Sequence, residues 1–417
     1  MKVIQINYSD ISGGAARAAY RIHHALRGIG VDSRMWVNSA TAGDWTVQGP
    51  EGKVDKVLTR LRTSIGALPN KLLQTGNPII HSSAWLPSDW VQKINTSDAD
   101  VVHLHWVTGE MLSVQDIGRI RKPIVWTLHD MWAFCGAEHY TEDYRWKEGY
   151  ESNNRPAYES GFDLNRWTWE RKLKYWQKPL HMVTPSRWLA ECVRQSALMQ
   201  DWTVTVVPNA IDTNLWSPVD KKLARQMLHL PHDVPLLLFG AISIKGESDP
   251  RKGFGLLKSA LEHMKGQIPG LELIVFGSLA PRNLPNIGFP LHYTGHLCDD
   301  SSLRLLYSAA DAMVIPSRQD NLPNTGVEAL SCGTPVIAFN TCGLPDIVDH
   351  EETGYLAKAF DVEDLARGIQ WVISDEERHK ELSNNAREKA VKRFSYPEVA
   401  QRYLTVYKQA IMDKWIL

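Results

Sequence analysis

Residues 317–338, SRQDNLPNTGVEALSCGTPVIA, set Arg318, Asp320, Asn321, Asn324 and Glu328 just ahead of an apolar run that reads as a core strand. In open α/β sheets ligands sit outside the carboxyl ends of strands, and DAMVIPS (311–317) ends where this polar set begins. Asn324 or Thr325 is placed to cap the helix that comes next, and the amides at a helix start suit an anion. Asp320 in the loop and Glu328 on the helix can converge on one ligand. Ionised carboxylates accept hydrogen bonds from hydroxyls, which suits the vicinal diols of a sugar or ribose. The competing reading is a capped helix with solvated charges.

GESDPRKGFGLL (246–257) places Arg251 and Lys252 at another helix start. Cations there oppose the helix dipole, an arrangement that makes sense if a diphosphate fills the gap; otherwise they are two solvated charges on a loop. DISGGAARAA (10–19) puts Gly13 and Gly14 between a strand and a helix. Glycine lets a backbone approach a ligand closely, or simply makes a tight turn. The dinucleotide fingerprint G-x-G-x-x-G is absent, which disfavours a dehydrogenase. TLHD (127–130) puts His129 and Asp130 at a strand's carboxyl end. In HLHW (103–106) the alternation places His103 and His105 on one face. With no third ligand in the sequence, they read as hydrogen-bonded histidines rather than a metal site.

The elements that must position these residues alternate strand and helix. KVIQIN, SRMWV, DVVHLHW, PIVWTLHD, HMVTPS and WTVTVVPN form one series, and PLLLFGA, LELIVFG, LHYTGHL, DAMVIPS and PVIAF a second. This pattern predicts parallel sheets with right-handed crossovers. An alanine-rich helix from residue 14 should stop at Gly28 and Gly30. The fold class expected is α/β, with two Rossmann-like doubly wound domains facing a cleft. Residues 1–207 form the first domain, 208–395 the second, and a last helix within about 396–417 returns to the first. A chain of 417 residues exceeds what one core usually serves. Its net charge of −1 selects neither nucleic acid nor an anionic surface as a whole. Five scattered cysteines, with no C-x-x-C, argue against a disulfide framework or zinc cluster and fit a reducing cytosol. The start, MKVIQINYSD, reads as a strand and not a signal peptide. A cytoplasmic protein is expected.

Together these pieces resemble the retaining GT-B glycosyltransferases of family GT4, of the bacterial cell-envelope or exopolysaccharide type, over nearly the full length. DAMVIPSRQDNLPNTGVEALSCGTPVIAFNTCGLPDIVDHEETGYL is similar to the family's E-x7-E segment and its G-x-P-V-I-A run, and DPRKGFGLL to its phosphate-binding lysine loop. SGGAARAA, TLHD, TPS and VVPNAID match its other landmarks. The resemblance implies that Glu328 binds the donor's ribose. Asp320 takes the place of the first glutamate, on the transferred sugar, with a side chain one methylene shorter. Arg318, Asn321, Leu322, Pro323, Asn324 and Thr325 line the donor, and Lys252 neutralises its pyrophosphate. Arg251 or Lys245 stands in for an arginine that many relatives carry earlier. His129 contacts the donor sugar from the opposite domain, Gly14 borders the diphosphate, and GHL (295–297), with His296 and Leu297, meets the base. Asp320, His129 and Lys252 are the catalytic residues so implied. Close relatives carry several cysteines after TLHDMW; this chain keeps only Cys135, which speaks against a metal-stapled loop.

The expected reaction moves a hexose from a nucleoside-diphosphate sugar, UDP-glucose favoured, to a glycan or lipid-linked acceptor, with retention and without a metal or other cofactor. No D-x-D stands at a strand end to hold one. The alternatives are a nucleotide-sugar epimerase, which needs no acceptor, and a non-catalytic sugar-binding protein. Two further segments carry expectations. Residues 132–176 are too long and polar for a crossover. Their aromatics, Trp132 and Tyr140 among them, with Asp130, Glu138 and His139, suggest an acceptor site built on sugar-stacking rings, or else a heavy core. Residues 53–71 hold five Lys/Arg, one Asp and a row of apolar residues. They predict a helix that rests on an anionic membrane face or, alternatively, covers the sheet.

Overall fold

A computed structural model describes residues 1–50, 52–240, 250–280, 287–297 and 299–414. Lys245, most of the AISIKGESDP segment and Cys298 lie outside the described residues, as do residues 415–417. The chain forms two compact units, Met1–Pro208 together with the chain from Val399, and Asn209–Glu398.

The first unit is built on seven parallel strands in the order Val47–Gln48, Asp32–Ser39, Lys2–Ser9, Val101–Leu104, Ile124–Thr127, His181–Thr184, Val204–Val206. The strand order reverses between Lys2–Ser9 and Val101–Leu104, which pair in register from Val3 with Val101 to Ile6 with Leu104. The first helix, Gly14–Gly28, ends where the glycines require. The second unit has six parallel strands in the order Leu291–Gly295, Glu272–Phe276, Leu236–Gly240, Ala312–Ile315, Val336–Phe339, Gly354–Ala357. Its reversal falls between Leu236–Gly240 and Ala312–Ile315, paired from Leu237 with Ala312 to Phe239 with Val314. Crevices at such reversal points are where doubly wound sheets bind ligands.

The second sheet is apolar on both faces, as a covered parallel sheet should be. The first departs from that rule. Ile4, Ile6, Leu104 and Trp126 enter one apolar core, but the intervening Gln5, His103 and Thr127 are polar and fully buried. The last helix, Tyr396–Lys414, supplies Tyr403 and Tyr407 to that polar face. Among the described residues no helix is long and apolar enough to cross a membrane.

Candidate donor and acceptor sites

At the reversal point of the second sheet the 3-10 turn Pro250–Lys252 meets the loop that runs from Pro316 to Pro323. Lys252 Nζ lies 2.6 Å from Asp320 Oδ2. Arg251 Nη1 is 4.0 Å from Asp320 Oδ1 and donates to the Gln319 carbonyl at 2.8 Å. The Arg318 amide donates to the Arg251 carbonyl at 2.8 Å, so the loops are stitched through backbone as well. Gly253 makes this approach feasible. It is left-handed (φ +71°), and a side chain there would collide with the Pro316 carbonyl. Ser317 Oγ and the Asn321 amide also donate to the Asp320 carboxylate, at 3.2 and 3.1 Å. Burial pushes Asp320 up, but the Lys252 and Arg251 cations outweigh it, and its carboxyl sits below the usual range. Lys252, Asp320, Ser317, Pro323 and Thr325 line a cavity of about 110 Å³ floored by Gly240 and Phe276.

The helix after this loop starts at Asn324, one residue earlier than the capping reading requires. Its cap position is Pro323, which has no side-chain acceptor. Asn324 Oδ1 instead accepts from Asn209 Nδ2 at 3.0 Å, and Asn209 also donates to the Leu322 carbonyl at 2.9 Å. The first turn therefore has neither a side-chain cap nor an acidic residue, which leaves its positive end suited to an anion. Glu328, one turn on, is buried, and its Oε2 accepts from the Tyr307 hydroxyl at 2.8 Å. It does not line the 110 Å³ cavity. Arg318 is exposed and stacks over Phe360, 4.9 Å from the ring centre. Leu322 and Asn321 are buried. His296, after the bend at Gly295, is exposed and Leu297 half-buried.

In the first unit the helix at Gly14 repeats this arrangement. Gly13 (φ +94°) is its cap residue, with no side-chain cap and no acid in the first turn. At the end of Ile124–Thr127, His129 Nε2 lies 3.1 Å from His105 Nδ1, the rings stacked at 5.3 Å. Burial holds His129 down to about 4, with Asp130 only partly opposing. Asp130 Oδ2 takes His139 Nδ1 at 2.6 Å and Trp106 Nε1 at 3.1 Å, and its Oδ1 takes the Trp132 amide at 3.0 Å. Burial acts to raise Asp130, yet these partners leave it below the usual range.

The aromatic-rich segment departs from the expectation of an open acceptor surface. Trp132, Glu138 and His139 are buried. Trp132 Nε1 donates to the Ser82 carbonyl at 2.8 Å, and the ring packs against Trp126 and Trp176. His139 Nε2 lies 2.9 Å from Ser82 Oγ. Glu138 Oε1 accepts from the Tyr150 hydroxyl, and burial raises its pKa; it is not at a solvent-open rim. Lys172, also buried, donates to the carbonyls of Trp132, Cys135 and Gly136. With Trp132, Trp146, Tyr150 and Trp176 buried and Lys172 closing the first turn, that part of the segment is core. Tyr140 is half-buried, its hydroxyl on the His129 carbonyl at 3.3 Å, and it alone of the ring candidates keeps an accessible edge beside His129. Sequence reading missed Tyr307, Asn209, Trp106 and Ser82, because each acts through a contact far away in the chain. His103 and His105 are hydrogen-bonded and buried, as expected. Among the described residues one group, His23, His24 and Asp44, is close enough to hold an ion. Both His23 nitrogens are already bonded to Ser33 and Thr46, and Asp44 to Thr46, Tyr20 and His24.

Residues 12–215 match the family model described as Glycosyltransferase Family 4, and residues 241–389 that of Glycosyl transferases group 1. A D-inositol 3-phosphate glycosyltransferase of Saccharomonospora viridis is 31% identical over 223 residues, 50% of this chain and 50% of that protein. The chain thus spans about half the length of the curated relatives it matches. Among solved structures, sucrose-phosphate synthase from Thermosynechococcus elongatus superposes with a TM-score of 0.65 at 18% identity, over 99% of this chain and 100% of that one. Anabaena HepE in complex with UDP-glucose gives 0.62 at 18% identity, over 100% of both. At that identity the likeness speaks for the fold. A family 4 segment followed by a group 1 segment, on two parallel-sheet units, supports a GT4-type glycosyltransferase of GT-B fold.

Proposed function

We propose that this chain transfers a hexose from a nucleoside-diphosphate sugar, UDP-glucose favoured, to a glycan or lipid-linked saccharide, with retention and without a metal. The observation that carries this reading is the Lys252–Asp320 pair beside the uncapped start of the Asn324–Ser331 helix. A diphosphate entering there meets Lys252, Arg251 and the helix amides, and stabilising the departing charge lowers the barrier to breaking the anomeric C–O bond. When Lys252 turns to phosphate, Asp320 is released to accept from a hydroxyl of the transferred sugar. The acceptor oxygen bonds to the anomeric carbon on the face the diphosphate leaves. Its proton passes to the departing phosphate oxygen, so atoms and charge balance without a protein nucleophile. Glu328 takes the ribose, while Asp130 and Tyr140 of the first unit are assigned to the acceptor. UDP is named in three solved structures of one neighbour of the fold, Anabaena HepE, which supports that donor.

The same reading gives the helix Lys53–Gly66 a membrane contact. Gly66 is its one buried residue. Val54 (70%), Leu58 (57%), Leu61 (52%) and Ile65 (47%) are exposed, continued by Leu68 and Leu72. The helix is held to its unit by polar contacts instead: Arg62 to the Glu110 and Leu86 carbonyls, Thr63 to the Gly109 carbonyl. An apolar stripe flanked by the exposed Lys53, Lys56 and Arg60 complements an anionic leaflet.

Nucleotide sugars screened for thermal protection identify the donor, since a ligand at 100 times its Kd stabilises by about 2.7 kcal/mol. Transfer to candidate acceptors in excess EDTA, with the product anomer read by NMR, then tests the reaction. Conversion of the donor without acceptor, an inverted anomer, or activity lost in EDTA and restored by manganese would each overturn the corresponding part.

A further inference from the structure

Beside the helix Lys53–Gly66 the first unit has an open cavity of about 1080 Å³, lined by residues between Trp36 and Lys93. Ligand pockets usually measure roughly 300–1,000 Å³. Among the described residues, the polar contacts that hold this helix to its unit fall in its C-terminal part, at Arg62, Thr63 and Gly66. Leu58, Leu61 and Ile65 form one wall of the cavity. Val54, Val57 and Leu68 of the same stripe lie outside the lining and stay available to a leaflet.

The facing wall is the edge of the sheet and the start of the helix Trp90–Thr96. Trp36 and Asn38 share one face of Asp32–Ser39 by strand alternation, and Gln48 is the residue paired with Trp36. The Trp36 and Trp90 rings are 6.1 Å apart and tilted by 42°, an angled aromatic surface. Lys93, over Trp90 at 5.5 Å and 2.7 Å from Asp89, carries charge at that wall. Trp36 Nε1 is buried with no acceptor among the described residues. Asp55, in the first turn of Lys53–Gly66, is exposed and also lines the cavity. A hydrocarbon chain laid here would cover the leucines, but it would strip water from Asn38, Gln48 and Asp55 without bonding them, which costs free energy. A sugar ring offers C–H faces to the indoles and leucines, and hydroxyls to the amides and the carboxylate. The mixed lining matches the sugar.

We propose that this cavity is a saccharide-binding site, built from other residues than the donor loops, that holds a stretch of neutral hexose chain against Trp36 and Trp90. It rests on the proposed function in one respect, that the chain held there belongs to the glycan acceptor. The test uses full-length protein with ¹⁵N-labelled tryptophan and no donor. The probes are maltopentaose, cellopentaose and laminaripentaose, with dodecanoate as the hydrocarbon control. The two indole signals are assigned by their absence in Trp36→Phe and Trp90→Phe. At least one pentasaccharide should shift both signals, and Trp90→Ala should abolish the shift at Trp36. Asp55→Ala should weaken binding roughly 2- to 10-fold, the worth of one hydrogen bond, and serves if Trp90→Ala does not fold. Affinity for the nucleoside diphosphate alone holds in both. Signals that move with none of the pentasaccharides, or with dodecanoate only, overturn the site, as does sugar binding that both variants leave intact. Pentasaccharide binding here by a protein that transfers no sugar to any acceptor would instead overturn the proposed reaction and leave the site standing.

Discussion

The ammonium of Lys252 and the carboxylate of Asp320 are 2.6 Å apart although 68 residues separate them. They meet because Leu236–Gly240 and Ala312–Ile315 are adjacent strands. Each charge compensates the other until a ligand takes one of them. Lys252→Ala is therefore expected to do two things. Nucleoside diphosphate binding by calorimetry weakens by roughly 1.5–3 kcal/mol, the worth of a charge-assisted contact, and the melting temperature falls because a buried carboxylate is left with only the more distant Arg251. Adding Asp320→Asn recovers the melting temperature and not the affinity. Unchanged affinity in Lys252→Ala would remove it from the donor site.

Acid should separate the same two proteins. Asp320 has a folded pKa below its unfolded value, so the unfolded chain takes up the proton first. Its contribution is complete above the ordinary aspartate value of about 3.9 and is lost as pH falls through the folded value. Without Lys252 that depression shrinks. The difference in melting temperature between wild type and Lys252→Ala should narrow from pH 6 to pH 3. A gap constant across this range would mean that Asp320 is not held by Lys252.

Substitution distinguishes the core of the 132–176 segment from its surface. Trp132 is 2% exposed and packs in the main core of its unit; Trp132→Ala should cost about 3–5 kcal/mol and lower the melting temperature by several degrees. Tyr144, 64% exposed, should tolerate alanine with no such loss. Tyr140→Ala should raise the acceptor KM at unchanged donor affinity, and acceptor kinetics that do not respond would place the acceptor elsewhere.

Vesicle sedimentation addresses the exposed stripe. Pelleting should require anionic lipid and weaken in Leu58→Gln/Leu61→Gln. It should fall again in Lys56→Glu/Arg60→Glu, since each cation near such a surface is worth about 1 kcal/mol. Arg62 is left intact because it anchors the helix. Equal pelleting with neutral vesicles, or a dimer dissolved by the same substitutions, would rule out the membrane reading.

Residue types and periodicity made the two sheets legible, and so the loops that end at Lys252, Asp320 and His129. Both parallel sheets and the first helix's stop follow from local pattern. What local pattern did not give was partnership. Nothing near Glu328 names Tyr307, and nothing near Gln5 or His103 names Tyr407. The tryptophans of 132–176 read equally as stacking platforms or core, because only the fold decides which face of a ring is covered. Pro323 took the cap position expected of Asn324 or Thr325 because the chain enters the helix one residue early. The 53–71 pattern was plain, but that its apolar side stays uncovered depends on the polar anchors at Glu110 and Leu86.

The first unit is assembled from two separate stretches of the chain, with Tyr403 and Tyr407 bonded to Thr127, His103 and Gln5 of its central strands. A ribosome makes those strands before the tyrosines, which follow Thr127 by 276 residues and Gln5 by 402. During that interval Gln5, His103 and Thr127 have only water as the partner that the tyrosines later replace. The second unit is contiguous and can close first, although it is translated later than most of the first. Maturation of the His129 rim is thereby tied to the synthesis of the segment that carries Tyr403 and Tyr407. A chain truncated before Tyr403 should bind nucleoside diphosphate through the second unit while its first sheet stays incomplete.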